Sequence, residues 1–520
     1  MRSNRARRAF ALPLVVTVLL LSFRPAWGAK NVIIMVADGS GWNAWNATAM
    51  YQGKLGSEIY DGPDWVKMAC STYPLNQATK PKGKNVQDKT LVYDQTKAWA
   101  TAVVPVPAAK KTADADEDED DAKAAVAKNT FAGYLWLKGT YTDSAAAATA
   151  LATGTKTYNN AINWTDANKP LRGQTIPEIA KAAGKSVGAI TTVQWSHATP
   201  AGLGGAHNVS RNNYAQIARE MLDAPYLDVI MGAGHPDYDA NGTFRTTKQD
   251  YKYVGGTTPW LLLKSAQYPV AWKLVESKAD FEALTDGPTP PKVLGVAQVA
   301  GTLQQGRFKV VAATETTTTT ADKSAAAGSA TKTPAKPLPP EKPYERPLNA
   351  NVPSLATMTK AAINCLDDNP QGFYLMIEGG AVDWANHSGQ SGRMVEEQID
   401  YLKAVEAVVA WVEKHSSWDD TLLILTTDHE TGLIWGPDSD KTAFDPIVDR
   451  GAGKVPGMKY NSAGHSSTLV PLFARGAGSR QFAKLVVGTD KTAAAKFGFS
   501  GQYVENTSVF RVMKDAVTAK

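Results

Sequence analysis

The sequence predicts an α/β fold with a largely parallel central sheet flanked by helices, a three-layer arrangement with surface insertions. Two observations lead to this prediction. Short apolar runs suited to strands buried on both faces recur along the chain. Amphipathic helical stretches separate several of these runs, and such alternation is typical of parallel sheets, whose strands are joined by helical crossovers.

Five apolar runs are assigned to strands, in chain order NVIIMVADG (31–39), SVGAITTVQ (186–194), LDVIMGAG (227–234), GFYLMIEGG (372–380) and TLLILTTDHE (421–430). Three stretches with helical periodicity lie between or beside them: GQTIPEIAKAAG, NYAQIAREMLD and EEQIDYLKAVEAVVAWVEKH. In sheets of this kind ligands bind beyond the C-terminal ends of the strands. The residues at those ends are therefore the first candidates for function.

The N-terminal segment has the pattern of a secretory signal peptide. The basic stretch MRSNRARRAF is followed by an apolar run, and Ala26-Trp27-Gly28 supplies small residues at the spacing of a signal-peptidase site. The apolar run is too short for a comfortable membrane span, so we expect residues 1–28 to be removed and the protein exported to the periplasm or outside the cell. The stretch ARRAFAL also resembles a twin-arginine export signal, and both export routes stay open.

Charge and cysteine usage exclude several classes of function. The 520-residue chain has a formal net charge of +5, and residues 1–28 contain five arginines and no acidic residue, so the remaining chain is neutral. Nothing in this balance indicates a nucleic-acid partner, and no membrane span is predicted after residue 28. The two cysteines, Cys70 and Cys365, exclude a disulfide scaffold. Whether they pair with each other is left open.

Two stretches of low complexity are predicted to be unstructured surface insertions in a single catalytic domain (29–520). Residues 108–129 contain a block of acids that would repel one another in a compact form. Residues 313–347 are rich in Thr, Ala and Pro and have little to bury.

Acidic residues and histidines follow the predicted strands. The first strand runs into Asp38, the second is followed by His197 and Thr199, the fourth contains Glu378, and the fifth runs into Asp428 and His429. Later loops add three more: Asp383 and His387 in VDWANH, and His465 in SAGHSS. Carboxylates with imidazoles are the ligand set of zinc, and carboxylates with a hydroxyl suit magnesium. Carboxylates gathered at one sheet edge need a cation to offset their repulsion, so a site for several metal ions is predicted.

The remaining histidines lack this acidic context. Of the seven histidines in the chain, His207, His235 and His415 are interpreted as structural or surface residues.

One serine lies at the predicted start of a helix, in the stretch YTDSAAAATALATG (141–154). Ser144 could be an ordinary helix cap before a run of alanines, with Gly154 as the helix stop. Beside metal ions, the same hydroxyl could be held as an alkoxide and attack phosphorus. The complete phosphate-loop pattern G-x-x-x-x-G-K-[ST] is absent, which excludes a P-loop nucleotide enzyme.

Together these motifs resemble the alkaline phosphatase family. ADG, TDSAAAATALATG, SHATPAG, SRNNY, EGGAVDWANH, TTDHETG and GHS appear in the family's order, between residue 31 and about residue 475. The pairing of the serine motif with EGGAVDWANH is highly specific.

The resemblance implies a role for each matching residue. Ser144 would be the nucleophile that becomes phosphorylated, and Arg211 would grip two phosphate oxygens with Asp143 positioning it. One zinc ion would be bound by Asp383, His387 and His465, and a second, which activates Ser144, by Asp38, Asp428 and His429. A magnesium ion would be held by Asp38, Thr199 and Glu378, with His197 beside it. The combination of His197 and Trp384 resembles a subset of bacterial members rather than those with Asp and Lys, so the third metal is left open.

The function that the resemblance implies is hydrolysis of small phosphate monoesters by an exported enzyme with two Zn²⁺ and one Mg²⁺ per subunit, in a homodimer. Three alternatives remain: a phosphodiesterase or a sulfatase of the same superfamily, or an inactive protein that binds metal or phosphate. The sulfatase motif C/S-x-P-x-R is not matched by ACSTYP at 69–74. Arg211 beside the Asp-Ser pair favours monoesters.

Overall fold

The computed structural model describes residues 28–106, 129–308 and 342–519. The predicted signal peptide, apart from Gly28, therefore lies outside the described residues. Most of the two predicted insertions lies outside them too. Of these insertions, the structure describes Asn129, which begins a short strand, and residues 342–347, which form turns and loop.

Within the described residues the strands are β1 (Asn31–Ala37), β2 (Val66–Ser71), β3 (Val103–Pro105), β4 (Asn129–Phe131), β5 (Ser186–Gln194), β6 (Val229–Ala233), β7 (Lys273–Val275), β8 (Val293–Val296), β9 (Phe373–Gly379), β10 (Thr421–Thr426), β11 (Glu430–Thr431), β12 (Ile434–Trp435), β13 (Lys459–Tyr460), β14 (His465–Ser466), β15 (Val470–Gly476), β16 (Gly488–Thr489) and β17 (Gln502–Glu505).

The helices are α1 (Trp42–Gln52), α2 (Gln95–Ala98), α3 (Ala132–Gly139), α4 (Ser144–Thr153), α5 (Ile176–Ala182), α6 (Ala198–Leu203), α7 (Tyr214–Asp223), α8 (Thr257–Lys264), α9 (Lys278–Ala283), α10 (Leu355–Leu366), α11 (Ala381–His387), α12 (Ser391–His415), α13 (Lys491–Phe497) and α14 (Asn506–Thr518). Two short 3₁₀ helices lie at Lys252–Val254 and Ser479–Leu485.

An eleven-stranded sheet in the order β16-β17-β2-β15-β10-β1-β9-β5-β6-β8-β7 forms the centre of the fold. The seven strands from β10 to β7 are parallel to their neighbours. β15 runs antiparallel between β10 and β2, and β16 is antiparallel at the edge. The prediction of an α/β fold with a largely parallel sheet is confirmed.

The five predicted strands are five neighbours in this sheet, β10, β1, β9, β5 and β6. Each is buried along nearly its whole length, which is why each reads as an apolar run rather than as an alternating one.

Helices cover both faces of the sheet, as successive side chains of a strand point to opposite sides. In β1, Ile33 and Met35 pack into a core with α10 and α12, whereas Val32 and Ile34 pack into a core with α4, α5, α7 and α14. The result is a helix–sheet–helix sandwich. Its central strands hold their C-terminal ends level with one another.

The two cysteines do not pair. Both are free thiols: Cys70 lies in β2 and packs into one core, and Cys365 lies on α10 against the core of the opposite face. The sheet separates them, so the pairing that the sequence left open is not formed. In the described part of the chain, no helix is both long enough and apolar enough to cross a membrane.

Candidate active site and metal centre

Three buried acids converge where adjacent parallel strands end. Val36 of β1 is level with Glu378 of β9 on one side and with Thr426 of β10 on the other. Asp38 and Asp428 each lie two residues beyond these positions. The strand register therefore brings the three carboxylates together at the C-terminal edge of the sheet.

These carboxylates lack the partners that buried charges need. Asp38 Oδ1, Glu378 Oε1 and Asp428 Oδ2 are buried and accept no hydrogen bond from any described residue. Burial, together with the neighbouring carboxylates, raises the pKa of Asp38 well above its usual range. Burial also raises the pKa of Asp428, and that of Glu378 to about 7. Carboxylates crowded in this way are stabilised by a cation.

A second group of ligands lies on α11 and β14. Asp383 Oδ2 is 3.3 Å from His387 Nε2, and Asp383 Oδ1 is 3.7 Å from His465 Nε2. Each imidazole contacts a backbone carbonyl through Nδ1, His387 that of Ala463 and His465 that of Thr142. A carbonyl only accepts, so both Nδ1 atoms carry the proton.

With the proton of each ring on Nδ1, both Nε2 atoms carry lone pairs, and this arrangement indicates a cation between the rings. The lone pairs of His387 Nε2 and His465 Nε2 face each other across 3.0 Å. Two lone pairs at this distance repel unless a cation or a proton lies with them. Ligand atoms of Asp383, His387 and His465 all lie within 4.8 Å of one another, as zinc coordination requires.

A third histidine joins the two groups. His429 Nε2 lies 3.1 Å from Asp428 Oδ2 and 3.7 Å from Asp38 Oδ1, and its ring stacks on His465 with centroids 3.6 Å apart. Ligand atoms of Asp38, Asp383 and His429 form a second set within 4.8 Å. Burial lowers the pKa of His429 to about 3, so the ring is neutral and one of its two nitrogens offers a lone pair to a metal.

Ser144 is the first residue of α4 and is almost fully buried. Its Oγ lies 3.1 Å from His429 Nε2. Asp143 caps the helix by accepting a hydrogen bond from Ala146 N at 3.0 Å. The serine is therefore not the cap of α4, and its hydroxyl stands at the positive end of the helix beside the acid–histidine cluster.

Arg211 lies on the other side of Asp143. Its Nη1 is 3.2 Å from Asp143 Oδ2, an oxygen that also accepts a hydrogen bond from Asn160 N at 3.0 Å. His197 Nε2 is 3.5 Å from Arg211 Nη2, so the structure places His197 beside the guanidinium rather than in either histidine cluster. Thr199 Oγ1 donates to Asp38 Oδ2 at 3.3 Å.

Two threonines and one glycine support the ligands without having been singled out in the sequence. Thr191, level with Glu378 in the register of β5 and β9, donates to that carboxylate. Thr431 donates to Asp383. Gly39 has φ +66°, and a Cβ there would lie 2.4 Å from Asp383 Oδ1, so this position needs glycine. A feature of the sequence that could have indicated Thr191 is the pair of polar residues, Thr191 and Thr192, inside the otherwise apolar run GAITTV.

The other three histidines lie away from the ligands. His207 and His235 are buried beside glutamates, His207 Nδ1 at 3.1 Å from Glu220 and His235 Nε2 at 2.7 Å from Glu276. His415 is exposed at the end of α12.

The site opens into a cavity of about 900 Å³. Asp143, Arg211, His387 and His465 form its floor, and residues 77–82, Lys138 and Tyr141 form part of its wall. A guanidinium and two imidazoles therefore line one open pocket, and the buried Ser144 directly follows Asp143 of its floor.

Comparison with known proteins decides the family. The model of the alkaline phosphatase family matches residues 134–445. The chain belongs to the alkaline phosphatase family. Among curated relatives, alkaline phosphatase 4 of Bacillus subtilis is 30% identical over 68% of this chain and 63% of its own length. The alkaline phosphatase of Escherichia coli is 29% identical over 63% of this chain and 66% of its own length. The match thus spans about two thirds of these relatives.

Solved structures of this family share the fold. The cold-active alkaline phosphatase of Shewanella sp. covers 94% of this chain and 99% of its own with a TM-score of 0.56, at 20% identity. A mutant of TAB5 alkaline phosphatase with Mg bound in its M3 site covers 95% and 99%, with a TM-score of 0.53 at 20% identity.

Proposed function

We propose that this chain hydrolyses phosphate monoesters through a phosphoserine at Ser144 and releases inorganic phosphate. The observation that carries the proposal is the position of the serine. Its Oγ stands at the N-terminus of a helix, 3.1 Å from His429 Nε2, beside buried carboxylates of which Asp38 Oδ1, Glu378 Oε1 and Asp428 Oδ2 accept no hydrogen bond from any described residue. A hydroxyl in this setting is a suitable nucleophile for phosphorus.

The donor set fits divalent cations at three positions. Asp383, His387 and His465 would hold one zinc ion, and Asp38, Asp428 and His429 a second. Asp38, Thr199 and Glu378 would hold magnesium, and His197, two residues before Thr199, would lie beside it. When bound, such ions supply a lowered pKa for a hydroxyl or water and offset the charge of the attacking and leaving oxygens, as in other two-metal phosphatases.

The residues of the chain divide the remaining work. Arg211 binds two non-bridging oxygens of the phosphate, and Asp143 holds the guanidinium in place. Ser144 Oγ forms the bond to phosphorus as the bond to the alcohol oxygen breaks, and the alcohol leaves with a proton. Water then hydrolyses the phosphoserine, which restores the serine and yields inorganic phosphate.

Trapping of the phosphoenzyme tests the proposal. The protein, loaded with zinc and magnesium, is incubated with ³²P-labelled phosphate, quenched in acid and mapped by peptide sequencing. We expect label on Ser144 and no label in Ser144→Ala, whereas the exposed Ser265→Ala, on the flank of α8, labels like the wild type. Label that persists in Ser144→Ala contradicts the assignment.

Substrate class is tested on the same preparation with three chromogenic esters. The nitrophenyl phosphate monoester, the bis-nitrophenyl diester and nitrophenyl sulfate share one leaving group, so the rates compare the transferred groups directly. We expect the monoester to have by far the highest kcat/KM. A faster diester or sulfate ester assigns the chain to another activity, and no turnover of any ester points to a binding protein.

We also infer that residues 1–28 direct export and that residues 29–520 act as one catalytic unit in a homodimer. The n-region, apolar run and small residues near Gly28 support export, and strands drawn from residue 31 to residue 505 into one sheet support a single unit. N-terminal sequencing of the secreted protein checks the first inference. Light scattering on the purified protein checks the dimer, and a monomer mass overturns it.

A further inference from the structure

A lysine-bearing loop forms one wall of the cavity above the site. Lys80 and Lys82 line this cavity, and both side chains are exposed. Lys138, near the end of α3, lines the same cavity. The described residues that line the cavity include one acid, Asp143, and its carboxylate is already ion-paired with Arg211. The leaving-group side of the site is therefore cationic.

Among the described residues, none of the three lysines has a carboxylate within ion-pair distance. Lys138 Nζ donates to the backbone carbonyl of Asn461 at 3.3 Å, and its ammonium is partly withdrawn from water. A charge in this position loses hydration without gaining a counterion, so an anion placed in the cavity would be stabilised by it.

The loop is held in place by a buried acid. Asp166 accepts hydrogen bonds from Lys82 N at 2.9 Å and from Lys84 N and Asn85 N at 3.2 Å. Gly83 N donates to the Asp166 carbonyl at 2.7 Å. Burial alone would raise the pKa of Asp166, but these donors hold it below its usual range. These hydrogen bonds hold the backbone of residues 82–85 against Asp166. They therefore fix the part of the loop that carries Lys82 and that directly follows Lys80 at the wall of the cavity.

A second cavity of about 670 Å³ extends the same surface away from the site. Lys80 and Lys82 line it too, with polar neighbours such as Asn160, Ser210 and Asn212, and no described residue that lines it is acidic. A leaving group longer than a simple alcohol can therefore pass from the phosphate site along a path lined by lysines and amides.

We propose that Lys80, Lys82 and Lys138 form a subsite for a second phosphate carried by the leaving group, so that nucleoside diphosphates and sugar bisphosphates are favoured substrates. This proposal rests on the proposed monoesterase function. The transferred phosphate occupies the floor beside Arg211 and Ser144, and the second phosphate lies against the lysines. Three ammonium groups around an anionic phosphate, which carries one negative charge in a nucleoside diphosphate and two in a sugar bisphosphate, supply Coulomb attraction that a neutral leaving group does not receive.

The test compares substrate pairs that differ by one phosphate: ADP with AMP, and fructose 1,6-bisphosphate with fructose 6-phosphate. For each enzyme the measured quantity is the ratio of kcat/KM within a pair, which removes any general effect on the chemical step. Lys80→Ala and Lys138→Met are made singly and together. Lys84→Ala is the matched control, because Lys84 lies on the same loop and lines neither cavity.

We expect each single variant to lower the ratio about threefold and the double variant about tenfold, the size typical of exposed charge pairs. The change should appear in KM rather than kcat, because the second phosphate is bound equally before and during the reaction. Raising the ionic strength should lower the wild-type ratio towards that of the double variant. Melting temperatures show whether a variant is folded.

The outcomes separate this proposal from the proposed function. If the lysine variants lower the kcat/KM ratio in both substrate pairs, a general subsite for phosphate is supported. If they lower only the ratio of ADP to AMP, the class of substrates is narrowed to nucleotides. Ratios equal to those of Lys84→Ala overturn the subsite, even when the wild type hydrolyses AMP and nitrophenyl phosphate well. A wild type that hydrolyses no monoester overturns the proposed function instead.

Discussion

At the residue scale, Arg211 is the group that we propose distinguishes phosphate monoesters from diesters. A monoester dianion offers three non-bridging oxygens, and a planar guanidinium can bind two of them at once. A diester has two such oxygens, one negative charge less, and a substituent where the arginine would reach. Arg211→Ala should therefore lower monoester kcat/KM by about one to two factors of ten per lost charged hydrogen bond, which is worth roughly 1.5–3 kcal/mol. Diester hydrolysis should fall much less, and steady-state kinetics on both esters measures this.

Two further variants make the comparison decisive. Arg211→Lys should recover part of the loss, because an ammonium keeps the charge but not the fork. Arg219→Ala removes an exposed arginine, which lies on α7 and donates to the carbonyl of Gly255, and controls for the general effect of losing an arginine. Equal losses for monoester and diester in Arg211→Ala would mean that the arginine is structural.

The candidate metal ligands could be predicted from the sequence, but the threonines that hydrogen-bond to them could not. Asp38, Glu378 and Asp428 could be predicted because acids at the ends of apolar runs are conspicuous, and parallel strands end at one edge. Thr191 and Thr431 could not. A threonine hydroxyl hydrogen-bonds to almost any neighbour, and the register that places these two against carboxylates exists only in the folded sheet.

At the scale of elements, the same distinction separates the five central parallel strands from β2 and β15 beside them. Strands β1, β5, β6, β9 and β10 could be predicted, because a strand buried on both faces has an apolar sequence. β2 and β15 could not. The first begins with half-buried Val66 and Lys67, and the second contains Pro471 and, before its last residue, partly exposed Arg475. Their antiparallel pairing joins segments roughly 400 residues apart, and no local pattern records it.

Helix α12 carries a buried acid that gives a prediction for stability. Glu397 is buried, and its Oε1 has no hydrogen-bond partner among the described residues. Burial, then Asp400 and Glu396, raise its pKa from 4.5 to about 8, against the opposing effect of Arg307 and Arg393. An acid whose pKa is raised in the fold is protonated there when the unfolded chain has already lost its proton. It therefore costs stability increasingly as pH rises from 4.5 to about 8.

Replacing this carboxyl by an amide should remove the cost. Glu397→Gln should match the wild type near pH 4.5 and become more stable than it as pH rises, by an amount approaching about 5 kcal/mol above pH 8. Denaturant unfolding across this range measures the difference. Glu406→Gln, at a half-exposed position on the same helix, controls for the substitution of an acid by an amide. A constant difference at all pH values would mean that Glu397 does not titrate in this window.

At the scale of the whole molecule, the proposed metal centre would join parts of the chain that are distant in sequence. Its candidate ligands follow β1, lie in β9, follow β10, and lie on α11 and β14, so bound cations would tie the central strands to these elements. Carboxylates brought together by the fold repel one another when no cation is present. Folding and metal binding are therefore linked.

Metal removal should lower the melting temperature as well as abolish activity. A ligand present at a hundred times its Kd for the folded state stabilises that state by about 2.7 kcal/mol, so chelation should lower the melting temperature by several degrees.

Asp428→Asn tests the metal centre further, because an amide keeps an oxygen for Gly39 N and removes the negative charge at Oδ2, which accepts no hydrogen bond from any described residue. Without metal this variant should melt above the metal-free wild type, and zinc should stabilise it less. The exposed Asp438→Asn, whose carboxylate pairs with Lys441, should behave like the wild type with and without zinc. Calorimetry measures these melting temperatures. Two results would each contradict a metal centre built from these acids: the chelated and zinc-loaded wild type melt at the same temperature, or metal-free Asp428→Asn melts below the metal-free wild type.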